Sequence, residues 1–456
     1  MGTIAVQGFI KPLIAAALVS GCAVGTEYQK PTTPVPAKFA APAANAGKVS
    51  TTSAWWQGFK DPVLNQLVAI ALRDNLQLAQ ARLRVDEADA LVLTAGPVID
   101  VNGRIESQVA SSNIGNDRSL GAISGSAVLF GSQRFREEAA RARASASLAE
   151  LDAARLLVLS NLASAYVDLR FVQKRLSLKY KELETWQRTS RDLDLLQQQG
   201  ATTRLDVLQP TAEIAETRAE ISVLGIEVER QKNRIATLLG KIAGTNPVDL
   251  RYRGQPYPRF NVASGVPADL LANRPDIRTA EHRYRLAVAE MNVAEANLYP
   301  QLTLNGTISA RSDASPVRGA IGLLGLSIPI FNQGAGKAQV KARHANAQAA
   351  FLQWKSQVLV AIEEVETLLV AQRKLGQAVG NSSQSVKLNT EAINLSRQLF
   401  NAQEMSVLDF VRLQRNQIQA EANLAQNRRQ RALNYIALQI ALGAGSSQPV
   451  APAPSN

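Results

Sequence analysis

Hydrophobic and polar positions switch period twice along the chain, in the same order each time. Long stretches with apolar residues at three-to-four spacing give way to short stretches of strict alternation, and then resume. From Val98 to Val109, Ile99, Val101, Ile105 and Val109 alternate with Asp100, Asn102, Arg104, Glu106 and Gln108. Two hundred residues on, Leu302, Leu304, Ile308 and Ala310 alternate with Thr303, Asn305, Thr307, Ser309 and Arg311. Each run predicts a strand with one apolar and one polar face. That pattern fits the wall of a membrane barrel and equally any half-solvated sheet. Loops near Asn113–Arg118 and Ser312–Arg318 turn the chain into glycine-rich return strands, predicted at 121–129 and 319–328.

The helical stretches are unusually long. Gln133 to Gln198 holds neither proline nor glycine, which at about 1.5 Å per residue predicts a rod of roughly 100 Å. Its counterpart, Lys337 to Phe400, is interrupted only by Gly376 and Gly380. Leu159, Leu162, Tyr166, Leu169, Leu176 and Leu183 form a three-four seam, with Gln173 and Tyr180 in its gaps, and an alanine series from Ala139 to Ala153 extends it. Coiled-coil packing follows from that spacing. Each rod ends in a turn and restarts with capping-box residues, Thr203 with Asp206 and Ser406 with Asp409. The returning helices run to Leu239 and Leu442, and Pro210 is expected to kink the first of them. Before the strands, Asp61-Pro62 caps and opens one helix predicted to reach about Ala95, and Pro275 opens another that stops before Pro300.

These landmarks describe a chain built twice. Pro97 and Gly103 match Pro300 and Gly306, Phe130-Gly131 matches Phe331-Asn332, and Leu239-Gly240 matches Leu442-Gly443. The spacing is far longer than any solenoid period, so the repeats are whole structural units, 61–243 and 267–445. Between them 244–266 is a proline-rich connector, and 446–456 is a tail.

Composition narrows the function. The chain of 456 residues carries a formal charge of +12, yet its arginines alternate with acids along helices and no basic cluster with interleaved aromatics occurs. Solvated helix faces account for this, and no nucleic-acid partner is expected. The one cysteine excludes an intrachain disulfide or a multi-cysteine metal site. His282 and His344 have no ligand-spaced partner. No Ser/His/Asp grouping or phosphate loop can be assembled, so no enzyme, no metal and no cofactor are expected. Residues 1–21 read as a signal peptide, with Lys11 before the apolar run Leu13–Val19, which is too short to span a bilayer. Val19-Ser20-Gly21-Cys22 resembles the lipobox of bacterial lipoproteins, in which the cysteine is lipidated. The resemblance implies a covalent lipid on Cys22 and, with Ala23 following, sorting to the outer membrane. Residues 22–60, with Pro31, Pro34, Pro36 and Pro42, form a tether that ends at Trp55-Trp56, paired for groove anchoring or core packing.

Four strands per chain cannot close a barrel, and an open edge cannot sit in lipid. The chain must therefore oligomerise around a water-filled bore lined by the polar strand faces. The motifs Trp55-Trp56 with Phe59, Asp61-Pro62, Asn75, Ala81-Arg82, Arg274-Pro275-Asp276-Ile277 with Ala280-Glu281, Tyr299-Pro300, Pro329-Ile330-Phe331 with Gly334, and Cys22 together resemble the outer-membrane efflux proteins of the TolC family. The likeness is to the lipoprotein branch serving resistance-nodulation-division (RND) pumps. It implies a mainly α fold with a membrane β-barrel, namely a homotrimer with a twelve-stranded barrel in the outer membrane and a helical tunnel in the periplasm. It also implies two partners, a periplasmic adaptor protein and an inner-membrane RND transporter, with small molecules as cargo. The outer-membrane component of a type I protein secretion system shares this fold and is the alternative. Such channels close at the periplasmic end, which here is Glu404–Arg415. The family's usual acidic iris residue falls at Arg412, and Arg415 matches a frequent arginine. Asp409 or Asp206 is then either the partner charge for Arg412 or simply a helix cap.

Overall fold

The computed structural model describes residues 25–32, 34–40, 54–95, 99–108, 118–130, 132–258, 273–299, 301–312, 318–327, 333–402 and 404–446. Cys22 and the signal peptide, Pro97, Pro300, the motif Pro329-Ile330-Phe331, the end of the connector and the tail lie outside the described residues. The chain divides into two units, one formed by 1–34, 83–150 and 276–357, the other by 35–82, 151–275 and 358–456.

A short 3-10 helix, Trp55–Phe59, precedes α1 (Pro62–Asp74) and α2 (Leu76–Ala95). Asp61 opens α1 as expected, its carboxylate accepting from the N–H groups of Val63 and Leu64 at 2.9 and 3.2 Å. The expected single helix to Ala95 is broken at Asn75, whose backbone is extended. Its side chain explains the break. The amide oxygen accepts from the N–H of Leu78 at 3.1 Å, restarting the helix, while the amide N–H donates elsewhere. After α2 come β1 (Ile99–Gln108), β2 (Arg118–Phe130), α3 (Gln133–Gln198) and α4 (Arg204–Leu238). The second half repeats the order as α5 (Pro275–Ala296), β3 (Gln301–Ser312), β4 (Arg318–Ser327), α6 (Gln333–Asn401) and α7 (Val407–Ala441). α6 passes through Gly376 and Gly380 without a break, and α4 stays helical through Pro210.

In the first unit both hairpins join one antiparallel sheet of order β1-β2-β3-β4. Ile123 pairs with Ile308, while Ser124 and Ser126 pair with Thr307 and Asn305. Side chains alternate across a strand, so Ile123, Leu304 and Ile308 share one face and Ser124, Ser126, Asn305 and Thr307 the other. The apolar face is bare: Ile123 and Ile308 are 57% and 62% exposed. Among the described residues β1 and β4 pair on one side only. Val288, Met291 and Ala347 pack α5 against α6 beneath Tyr28 and Tyr284.

The second unit holds the larger core. Trp55, Trp56 and Phe59 are buried in it with Leu64, Leu67, Leu159, Leu162, Tyr166 and Tyr435. The tryptophan pair therefore packs inward. The Tyr435 hydroxyl donates to the Trp55 carbonyl at 3.1 Å, and the ring meets Phe59 edge-on. Tyr166 donates to the second oxygen of Asp61 at 2.5 Å, tying the helix cap to the seam of α3. Seam positions Leu159, Leu162, Leu169 and Gln173 are buried, but Tyr180 is exposed. Trp186, further along α3, is fully buried.

Candidate functional site: the helix turns and the anchor segment

Two turns join the long helices to the returning ones. At the first, Gly200 adopts a positive φ of 74°, and the N–H of Ala201 reaches back to the Leu196 carbonyl at 2.9 Å. Thr203 and Asp206 then form a reciprocal capping box. The Asp206 carboxylate accepts from the Thr203 hydroxyl at 2.6 Å, the Thr203 N–H at 3.0 Å and the Thr202 hydroxyl at 2.8 Å. The Thr203 hydroxyl, aided by that N–H and by Thr202, holds this carboxyl below the usual carboxylate range. At the second turn Ser406 caps α7, accepting from the Asp409 N–H at 3.1 Å and donating to its carboxylate at 2.7 Å. Both aspartates therefore face their own caps. Among the described residues neither they nor any other carboxylate pairs with Arg412, which is exposed on α7. The geometry favours capping over a partner charge for Arg412.

Arg415 is engaged instead. Its guanidinium donates to Glu213 on α4 and lies 6.0 Å from the ring of Trp186 on α3. Three helices thus meet at one ion pair. Beside it Gln414 donates to the Thr189 hydroxyl at 3.4 Å, and Phe410 stacks on Phe400 with ring centres 4.6 Å apart. Further from the turn, Lys179 bridges Glu182 and Glu220 at 2.8 and 2.5 Å, and Lys181 pairs with Glu421 at 3.0 Å. Sequence reading missed Glu213 and Trp186. One signal was present for the first: Glu213 lies ten residues past Thr203 and Arg415 nine past Ser406, opposite charges within one residue of the same depth in the two repeats.

The tether after Cys22 is laced to the first unit. Asn292 on α5 accepts from the Thr26 N–H at 3.0 Å and donates to the Thr26 carbonyl at 2.9 Å, a two-way amide clamp. The Tyr28 ring meets Tyr284, lies below Arg285, and its hydroxyl donates to Glu281 at 3.4 Å. Gly25 has a positive φ of 109°, and a Cβ there would strike the Phe135 ring.

Among the described residues no helix is long and apolar enough to cross a membrane, and no three metal-binding side chains converge. His344 is exposed and His282 half-buried.

Residues 67–241 and 266–444 match the family model described as outer membrane efflux protein. The chain is 35% identical to a nodulation protein T of Rhizobium leguminosarum bv. trifolii, over 96% of this chain and 97% of that one. It is 27% identical to the pyoverdine export outer membrane protein OpmQ of Pseudomonas putida, over 90% and 92% of the two chains. The solved outer-membrane channel OprN superposes with a TM-score of 0.85 at 29% identity, covering 94% of this chain and all of the other.

Proposed function

The chain belongs to the outer membrane efflux protein family, and we propose that it acts as the outer-membrane channel of a tripartite efflux system, passing small molecules onward from an inner-membrane RND pump. The observation that carries this reading is the four-stranded sheet with its bare apolar face, its polar opposite face and two edges left unpaired among the described residues. Lipid accepts the first, water the second, and only further copies of the chain can satisfy the third. Three copies would close a barrel of twelve strands, four from each. A periplasmic adaptor protein completes the route to the pump. It is a family of channels, and we assign no catalytic role and no cofactor. In this reading the repeats occupy 61–243 and 267–445, joined by 244–266. Lipidated Cys22 begins the tether, and the clamp at Thr26 sets where that lipid meets the body.

At the periplasmic end, the Arg415–Glu213 pair holds the two returning helices together beside Trp186 of α3, and Arg412 lines the opening. The ion pair is more than half exposed on the arginine side, so its effect is on gating rather than on overall stability. Single-channel recording in planar bilayers tests both parts. The purified, lipidated protein should conduct as an oligomer, and Arg415→Ala should raise the open fraction at unchanged thermal stability. A monomer that never passes ions would refute the channel, whereas a conducting oligomer indifferent to Arg415→Ala would refute only the latch.

A further inference from the structure

A second feature of the first unit is untouched by the turns or the anchor. Where the helices lead into the strands, a cleft of about 500 Å³ is lined by all four of α2, α3, α5 and α6. Its floor is apolar, formed by Leu91, Leu298 and several alanines, and its rim carries Arg136, Arg143 and Arg343. Glu290 is the one carboxylate among the lining residues. It serves two of the arginines, pairing with Arg343 at 2.7 Å and with Arg143 at 3.7 Å. Among the described residues no carboxylate pairs with the exposed side chain of Arg136. The cleft therefore combines an apolar floor with guanidinium charge that its own acid does not neutralise.

Its direction can be read from the tether. On α5 the tether is gripped through Glu281, Tyr284, Arg285 and Asn292, whereas the cleft uses Glu290, Val293 and Ala294. At about 3.6 residues per turn these sets fall on opposite sides of the helix. A lipid on Cys22, three residues before Gly25, must reach the bilayer, so the tether side faces outward and the cleft faces the bore.

From this we infer that the cleft is a cargo-facing subsite for small anionic amphiphiles, at the point where the tunnel hands over to the barrel. The apolar floor takes the hydrocarbon part and the arginines take a carboxylate, sulfate or phosphate head, fork to oxygen. Copies around one bore would add their fields, raising the local anion concentration by about tenfold or more at low salt. The inference rests on the channel reading and sharpens it by naming the cargo class.

Reversal potentials under a potassium chloride gradient test it, with wild type compared to Arg136→Gln/Arg143→Gln, a variant that leaves the Arg343–Glu290 pair intact. Circular dichroism and oligomer size establish that the variant folds. Wild type should prefer chloride, and the variant should lose that preference. Submicellar decyl sulfate should block wild-type current at concentrations about tenfold lower than decyltrimethylammonium, with the gap closed in the variant. Cation preference in wild type, or a reversal potential unmoved by the substitutions, would overturn the inference and leave the channel standing. The second of these outcomes is also what a cleft facing lipid would give. Absence of any conductance would overturn both.

Discussion

The two repeats solve one backbone problem with different side chains. In the first, α4 ends at Leu238, and Gly240 turns with a positive φ of 69° against the carbonyl oxygen of Asp74. In the second, α7 ends at Ala441, and Gly443 turns with φ 76° against the carbonyl oxygen of Asn273. The helix-end hydrogen bonds correspond as well: Lys241 N–H to the Ala236 carbonyl at 2.9 Å, and Ala444 N–H to the Gln439 carbonyl at 2.9 Å. What differs is the residue that takes the leftover carbonyl. Asn75 donates to Leu238 at 2.7 Å, while Arg274 donates to Ala441 at 2.9 Å and also pairs with Glu364 of α6 at 2.8 Å. The glycine and its close approach are what the joint requires. The donor is open to choice, and the second repeat uses it to hold a further helix.

Breaking the shared part should cost most. Gly443→Ala places a Cβ 2.5 Å from the Asn273 oxygen. Added to a left-handed backbone worth roughly 1–2 kcal/mol, this clash should destabilise the protein by at least about 2 kcal/mol, and Gly240→Ala should do the same. Thermal loss of helical circular dichroism measures it, and a tolerated alanine at either site would show that the joints relax freely. Next comes the part that differs. Arg274→Ala should lose about 2–3 kcal/mol, since a buried charged donor leaves both a carbonyl and Glu364, whereas Asn75→Ala should lose about 1–2 kcal/mol with its cap on α2. Equal losses would mean that Glu364 adds nothing.

The smallest effect lies at the turns. Thr203→Ala should cost about 1 kcal/mol as a lost cap. Asp206 has its folded-state pKa lowered, so its contribution is complete above the ordinary carboxylate value and disappears as pH falls through the depressed one. Hydrogen exchange of the first turn should therefore quicken on acidification below that range. In Asp206→Asn this acid-dependent quickening should vanish.

Much of this was legible in the chain because it is local. Alternation marks the strands, Thr203 with Asp206 marks a cap, and Asp61-Pro62 marks a start, each within a few residues. The break at Asn75 was hidden because its amide does two jobs, one of them with Leu238 on another helix. Pro210 is a different case: it lies inside α4 with its side chain buried, and the helix continues through it despite the missing N–H. The grip of Arg415 on Glu213 and the gathering of Arg136, Arg143 and Arg343 depend on which helices lie side by side. No spacing within one segment carries that information. The duplication came nearest, by placing Glu213 and Arg415 within one residue of the same depth in the two repeats.

The unpaired flanks of the sheet carry a consequence for how cells make this protein. If the barrel closes from several copies as proposed, a lone newly made chain has no way to enter the bilayer without stranding backbone amides in hydrocarbon, and insertion is then a collective act that waits on the full complement of subunits. In that arrangement a copy whose β4 edge was spoiled for pairing by an inserted proline would do more than fail by itself. Mixed with intact copies it would leave a seam in every ring it joined, and one bad gene dose would act as a dominant poison.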